Sequence, residues 1–447
     1  MNSTISKYLF YLPSTYLRGE NVSRYLKFSR QFQYWDRDDI SAFQLNSLRK
    51  LVNFAYENSL FYRKLYDENS VHPNDLKELK DFSNFPTVSK QDIVEHFSTI
   101  RTKCSYSPLV THKTTGGSTG RAVTIIKNAR ALAHERAVTW RSYEWAGVTI
   151  GSPQARFWGI PLSQFNQRKY RLIDLVTNRQ RFSAFDISPD SFQKFYEKLH
   201  RFRPQYLYGY VSVILQFVNF LDENDLTLPD SVASIITTSE ILTETTRTRI
   251  GAVTGLKVYN EYGCGEVGSI AHECEQGNMH IMDESLYLEA QSKHHSSGSG
   301  SLLVSDFHNY AMPLIRYEVG DNAQLSNDQC SCGRTLSILK KIHGREYDTL
   351  YDSQFNPIHP EYVMYVFEEI KDTVGGIKQF QVLQHKDLSM EISLVKEENF
   401  LDQTERTLEN KLKSKFGEGV KFNFRYVDTI RREASGKLRL VKSQVNT

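Results

Sequence analysis

The residues best suited to chemistry begin at Thr114-Thr115-Gly116-Gly117-Ser118-Thr119-Gly120, where three glycines, three threonines and a serine fill seven positions. Glycine reaches positive φ without a Cβ penalty, so consecutive N–H groups can converge on one anion while hydroxyls add rotatable donors. The run is not a Walker loop, because Arg121 and then apolar and β-branched residues follow Gly120 in place of Lys-Ser/Thr and a helix. Its expected setting is strand, loop, strand, with the loop either an anion nest or a flexible polar connector. Tyr262-Gly263-Cys264-Gly265-Glu266 sets glycines beside a carboxylate. Backbone can approach a ligand there and Glu266 can hold a phosphate-bridging Mg²⁺, although a tight turn with a solvated Glu gives the same pattern. Asp321, closing the apolar run from Pro313, could accept from two vicinal ribose hydroxyls or simply form a turn. Lys437, behind Ser435-Gly436, stands where a long cationic side chain can swing into a cleft or end in a solvated basic tail.

A second constellation is His272-x-Cys274 with Cys330-x-Cys332. Two close pairs of nitrogen and sulfur ligands could close a tetrahedral zinc site, and free thiols are the alternative. His294-His295 sits in the polar run 291–300 and reads as an exposed loop tip rather than a metal site.

The elements that must position these groups follow from periodicity. Residues 41–66 place Leu48, Leu51, Val52 and Ala55 at helical spacing, and Phe85 to Lys90 reads as a turn with Ser89 as a helix cap. Beyond the glycine run come a helix from Ala129 to Trp145, a strand from Ala155 to Pro161 and a helix from Ser188 to Phe202. A strand to Tyr210, a helix from Val213 to Leu221, a strand from Ser234 to Thr238, a helix from Thr243 to Val253 and a strand from Leu256 follow. Strand and helix alternating over short connections predict an α/β body with parallel pairing, whose ligands gather at loops beyond the strand C-terminal ends. Those loops follow Tyr208, Thr238 (Ser239-Glu240) and Tyr262. Composition changes near Gly344-Arg345-Glu346-Tyr347-Asp348. Strand, helix, two strands, helix and strand beyond it predict a separate α+β domain, giving domains 1–343 and 344–447.

Hydrophobic residues at 40% and charged residues at 24% fit a globular protein and exclude wholesale disorder. Lys plus Arg less Asp plus Glu is 55 − 52 = +3, too slight to draw nucleic acid or a membrane by global charge, so any anion site must be local. The apolar stretch Tyr8 to Leu12 is interrupted by Pro13 and Arg18 and resembles neither a leader nor a span. Five cysteines at irregular spacing do not form a secreted disulfide framework, so the cytoplasm is the expected compartment.

Taken in order, TTGGSTG, Tyr208-Gly-Tyr210, Thr238-Ser-Glu240, YGCGE, RYEVGD, GREYD and a terminal SGK resemble the adenylate-forming superfamily. Within it, the likeness is to the phenylacetate–CoA ligase-like branch that includes capsular-polysaccharide biosynthesis ligases. The resemblance spans about Leu48 to Lys437 and implies a large N-terminal α/β body of mixed sheets and helices with a small mobile α+β C-terminal domain. It implies that Thr114, Thr115, Gly116, Gly117, Ser118, Thr119 and Gly120 hold ATP phosphates, with Thr115, Glu266 and Lys437 as catalytic groups and Glu266 near Mg²⁺. Ser239, Glu240, Tyr262 and Gly263 would border the adenine and acyl sites, Asp321 the ribose, and Arg345 and Asp348 the hinge. The implied reaction is carboxylate attack on the ATP α-phosphate, then acyl transfer to CoA or to an amine such as an amino sugar or amino acid. A catalytically silent nucleotide- or acyl-binding accessory protein is the competing reading. Arg121-Ala122 where a small or acidic residue and Pro are common, and Tyr347 where Asp is common, depart from the pattern. The same Cys-x-Cys-Gly-Arg run, Cys330 to Arg334, occurs in some relatives and adds structural zinc to ATP, Mg²⁺ and CoA as expected cofactors. No nucleic-acid partner or membrane insertion is expected, and a homodimer is the default.

Overall fold

The structure is a computed structural model that describes residues 1–115, 123–158, 171–184, 189–291, 299–326, 328–345, 350–355, 357–358, 363, 366–367, 369–370, 374–397, 399–431 and 440–445. The chain divides into two compact units: Met1–Val319 with Gln324–Lys340, and Gly320–Ala323 with Lys341–Thr447.

In the first unit the strand, loop, strand setting forms. Strands β1 (Thr111–Thr115) and β2 (Val123–Lys127) pair antiparallel, Thr115 opposite Val123, so the chain between them is presented at a hairpin end. β-Branched Val123, Ile125 and Ile126 are buried, which suits a pleated surface against a core.

Among the described residues the main sheet has eleven strands, in spatial order Leu286–Gln291, Ser299–Asp306, Tyr317–Ser326, Ile338–Arg345, Met279–Ile281, Gly268–Glu273, Val258–Cys264, Ser234–Thr238, Tyr206–Tyr210, Gln154–Trp158 and Arg179–Ser183. Strands β3 (Gln154–Trp158), β4 (Arg179–Ser183), β5 (Tyr206–Tyr210), β6 (Ser234–Thr238) and β7 (Val258–Cys264) pair in parallel, as the alternation of strand and helix predicts. One face packs Ala155, Phe157, Leu207 and Ile235 against Phe192, Phe195, Ile214 and Phe217 of helices Pro189–Phe202 and Val211–Glu223. The other packs Tyr206, Tyr208, Ile236 and Tyr259 against Tyr143 of helix Ala129–Trp145. Helices on both faces are what a parallel sheet requires. From β7 onward the next pairings turn antiparallel, β7 with β8 (Gly268–Glu273) and β8 with β9 (Met279–Ile281). Strands β10 (Leu286–Gln291) and β11 (Ser299–Asp306) form a further antiparallel pair.

Some expected boundaries move. The helix expected over 41–66 is two helices, Arg37–Asn58 and Leu60–Glu68, because Ser59 is extended (φ −119°) and its hydroxyl accepts from the Tyr62 N–H at 3.4 Å. The apolar run from Pro313 is not yet strand, since Arg316 takes φ +49°. Strand β12 starts at Tyr317 and continues through Asp321 to Ser326, so Asp321 lies inside a strand rather than closing one. Strands β12 and β13 (Ile338–Arg345) carry the chain into the second unit.

The second unit is α+β. After a short ribbon, β14 (Leu350–Tyr351) and β15 (Pro357–Ile358), come β16 (Ile377–Gln384), β17 (Met390–Lys396), β18 (Phe422–Tyr426) and β19 (Val441–Ser443). They form a sheet in the order β18-β17-β16-β19. Helix Asp402–Phe416 buries Leu408, Leu412 and Phe416 against Val382, Ile392 and Leu394. The helix expected from Glu361 to Lys371 lies largely outside the described residues.

Candidate functional site

The loops at the C-terminal ends of β5, β6 and β7 meet in the first unit. Ser239, just past β6, takes φ +69°, a conformation that a non-glycine residue adopts only when its surroundings fix it. Glu240 then turns back. Its carboxylate accepts from the Ser212 N–H at 2.7 Å and the Ser212 hydroxyl at 2.9 Å, so it caps the helix that follows β5 and ties the β5 and β6 exits together. Past Tyr262 the β7–β8 ladder shifts register, and a Cβ on Gly263 would lie 2.4 Å from the Gly268 carbonyl oxygen, so that position needs glycine. Glu266, at the tip of this hairpin, is buried; the Tyr317 hydroxyl stands 3.4 Å and the Lys90 ammonium 3.9 Å from its Oε1. Sequence reasoning read Lys90 only as the start of a helix. What brings it to Glu266 is a non-local bridge, Val88 N–H to Arg316 O at 3.1 Å and Glu318 N–H to Val88 O at 2.9 Å.

The hairpin that presents the glycine-rich run is anchored by charge. Lys113 of β1 and Lys127 of β2 each bond one oxygen of Glu135, at 2.5 and 2.9 Å. Lys127 also donates to the Val267 carbonyl at 2.9 Å and stands 3.5 Å from Asp306. One carboxylate on helix Ala129–Trp145 therefore grips both strands, and one ammonium links them to the turn beside Glu266. Burial by itself would raise the Glu135 carboxyl, but Lys127 and Lys113 hold it down to about 2. Burial pushes the Lys127 ammonium down, and the Glu135 and Asp306 carboxylates outweigh it and hold that group above its ordinary value.

The metal-type residues also come together, with one change of partner. The ligand atoms of Cys274, Cys330, Cys332 and His280 lie within 4.8 Å of one another. Cys274 Sγ is 3.7 Å from Cys330 Sγ, close to the tetrahedral edge of about 3.8 Å for zinc–sulfur bonds of about 2.3 Å. His280 Nε2 is 3.2 Å from Cys332 Sγ, and its Nδ1–H donates to the Leu336 carbonyl at 3.2 Å, the tautomer that leaves Nε2 to ligate. The Gln276 N–H to Cys274 Sγ and the Asn278 Nδ2–H to Cys330 Sγ, both at 3.3 Å, are donors suited to thiolates. His272 is not in this group. It faces His280 across the β8–β9 ladder, but its Nδ1 is bonded to the Glu273 carbonyl at 2.8 Å and its ring lies among Tyr143, Trp145 and Tyr259.

Of the other expected site residues, Thr114 and Thr115 lie on β1, Asp321 on β12 and Arg345 at the end of β13. Gly116, Gly117, Ser118, Thr119, Gly120, Asp348, His294, His295 and Lys437 lie outside the described residues.

Known proteins agree with this architecture. Residues 350–444 match the family described as the CapK C-terminal domain. Protein CapK of Staphylococcus aureus is 24% identical over 413 residues, covering 91% of this chain and 90% of that protein. The phenylacetate-coenzyme A ligase of Thermus thermophilus is 24% identical over 373 residues, 80% of this chain and 82% of its own. The crystal structure of 2-hydroxyisobutyryl-CoA ligase in complex with R3-HIB-AMP has a TM-score of 0.74 at 18% identity, covering 93% of this chain and 91% of that one. The chain thus shares its fold with that ligase over most of its length, and in sequence it is similar to protein CapK and to phenylacetate-coenzyme A ligases.

Proposed function

We propose that the protein is an ATP-dependent ligase that activates a small carboxylic acid as its acyl-adenylate. The observation that carries this reading is the anchoring of the hairpin bearing Thr114 to Gly120 to the turn bearing Glu266 through Lys127 and Glu135. In the first half-reaction a substrate carboxylate oxygen attacks the α-phosphorus of ATP, the bond to the β-phosphate oxygen breaks, and pyrophosphate leaves. Charge gathers on non-bridging phosphate oxygens, so the protein's task is positioning and fixed donors. Backbone N–H groups and hydroxyls of Thr114 to Gly120 supply the phosphate cradle, Asp321 accepts from the ribose hydroxyls, and Lys437 bridges the carboxylate and α-phosphate. Arg345 marks the hinge of a C-terminal lid. Glu266, a buried carboxylate at the tip of the β7–β8 hairpin, would hold a hydrated Mg²⁺ through one carboxylate. Such an ion neutralises phosphate charge. In the second half-reaction a thiol or amine attacks the acyl carbonyl and AMP leaves. Relatives named as phenylacetate-coenzyme A ligases favour CoA as the acceptor, with amide formation on an amino sugar or amino acid as the alternative.

Pyrophosphate exchange into ATP, screened over aryl, fatty and amino acids, is expected to appear with a narrow group of acids. AMP release on adding CoA or an amine then assigns the acceptor. No exchange with any acid would favour the accessory-protein reading. Among the described residues no helix is long and apolar enough to cross a membrane.

We propose further that Cys274, His280, Cys330 and Cys332 hold a structural zinc, since all four positions of a tetrahedron are filled by protein ligands. The site is embedded with Phe32, Ile40, Trp145, Leu336 and Ile338, so it would fasten the β8–β9 hairpin and the 330–336 segment to the helices before them. Metal analysis is expected to find about one zinc per chain, lost in His280→Ala and retained in His272→Ala. Zinc-free protein whose melting temperature ignores a chelator would overturn this.

A further inference from the structure

The N-terminal helical segment is laid on the body inside out. Residues 3–17 form one helical run, α-helical at Ser3–Ile5, π-helical at Ser6–Tyr11 and α-helical at Leu12–Leu17. Its buried positions are Ser6, Tyr11 and Thr15, whereas Leu9 is 68% and Leu17 82% exposed, with Tyr8 and Tyr16 beside them also exposed. Hydrophobic burial alone would turn this helix the other way.

Beside it lies helical turn 171–176, joined to the run by Ser6 Oγ to the Val176 carbonyl at 3.4 Å and by Asn178 Nδ2 to the Met1 carbonyl at 2.9 Å. This turn also points apolar residues outward: Leu172 is 64% and Leu175 63% exposed. Nine of the nineteen exposed large hydrophobic side chains among the described residues fall in these two adjoining segments, so the patch is concentrated rather than scattered.

Its charge has one sign at the surface. Residues 1–19 contain no Asp or Glu, and the exposed charges are Arg18 and Arg171, with Lys7 partly exposed over the Tyr8 ring at 4.8 Å. Two carboxylates in or next to these segments in sequence are withdrawn. Glu20 is buried against Arg136 at 2.6 Å and Arg18 at 3.1 Å, and Asp174 is paired with Arg181 at 2.9 Å. Leucine and tyrosine on an outward helix face, rimmed by cations and with no exposed Asp or Glu in residues 1–19 or 171–176, match the chemistry of an anionic lipid interface. The net charge of +3 gives no such attraction over the whole molecule, so the attraction is confined to this face.

We propose that the outward face of residues 1–18 and 171–175 seats the protein peripherally on an anionic phospholipid bilayer, without spanning it. Full-length protein is expected to sediment with phosphatidylcholine vesicles containing phosphatidylglycerol, not with phosphatidylcholine alone, and to be released by salt. Leu9→Glu, Leu17→Glu and Leu172→Glu each add a carboxylate to the face at an exposed position. Each is expected to lower vesicle binding by about tenfold while leaving circular dichroism, melting temperature and acid-dependent pyrophosphate exchange unchanged. Wild-type protein that ignores anionic vesicles at low salt would overturn the proposal, as would variants that bind like wild type. Vesicle-independent dimers that Leu9→Glu dissociates would also overturn it, assigning the face to a second copy of the chain.

Discussion

Acid-dependent pyrophosphate exchange is expected to fall by about 10²- to 10³-fold in Lys437→Ala, with the unfolding transition unchanged. That magnitude is the cost of one fixed donor to charge that builds during reaction at a phosphorus centre. Lys437 follows Ser435-Gly436 in a run of Arg, Lys and small residues, where a long cationic side chain suits a phosphate partner. A structural lysine would behave differently, because its loss would move the melting temperature and leave the exchange rate of the folded fraction intact. Measuring exchange at saturating ATP and acid, and again below saturation, separates a loss in turnover from a loss in binding. Undiminished exchange at both would remove Lys437 from the site while leaving the ligase reading to stand on wild-type exchange.

The parts of the fold that depend on local pattern were readable from sequence. Alternating strand and helix predict the parallel pairing seen for β3, β5, β6 and β7, though not strand β4, and the residues after Gly120 predict a following strand, β2, rather than a Walker helix. What was not readable depended on contacts between distant residues. His272 and His280 have the same chemistry in sequence, and only the β8–β9 hairpin decides which ring reaches Cys332 while the other is bonded to backbone. That Glu240 caps the helix at Ser212 is invisible in sequence, because it requires β5 and β6 to be neighbours. Nothing local marks Lys127 as an anchor, since its partners Glu135, Val267 and Asp306 come from separate elements. The helical run through Pro13 is likewise not legible in sequence: a π-helical turn, Leu12 N–H to Lys7 O, comes immediately before a residue that has no N–H to donate.

The anchor under the glycine-rich hairpin predicts the largest stability effect. Glu135→Gln keeps the shape of the side chain and removes the charge that Lys113 and Lys127 share, leaving two ammonium groups side by side in a buried setting. Loss of one partner from a buried ion pair costs about 3 to 5 kcal/mol, because the remaining charge keeps its desolvation penalty. Urea denaturation near neutral pH should read that loss as a lower midpoint with an unchanged slope. The pH dependence has a defined sign. Glu135 is held from 4.5 down to about 2 in the folded protein, so its contribution is complete above about 4.5 and disappears as pH falls toward 2. The gap between wild type and Glu135→Gln should therefore narrow over that interval, and a gap that stays constant down to pH ~2 would show that charge is not its source. The hairpin also carries the proposed phosphate cradle. Under conditions where the variant remains folded, its KM for ATP should rise more than its turnover falls, because loosened strands weaken ATP binding before they alter the chemistry at phosphorus. Equal KM in the two proteins would confine Glu135 to stability and detach the buried charges from the reaction.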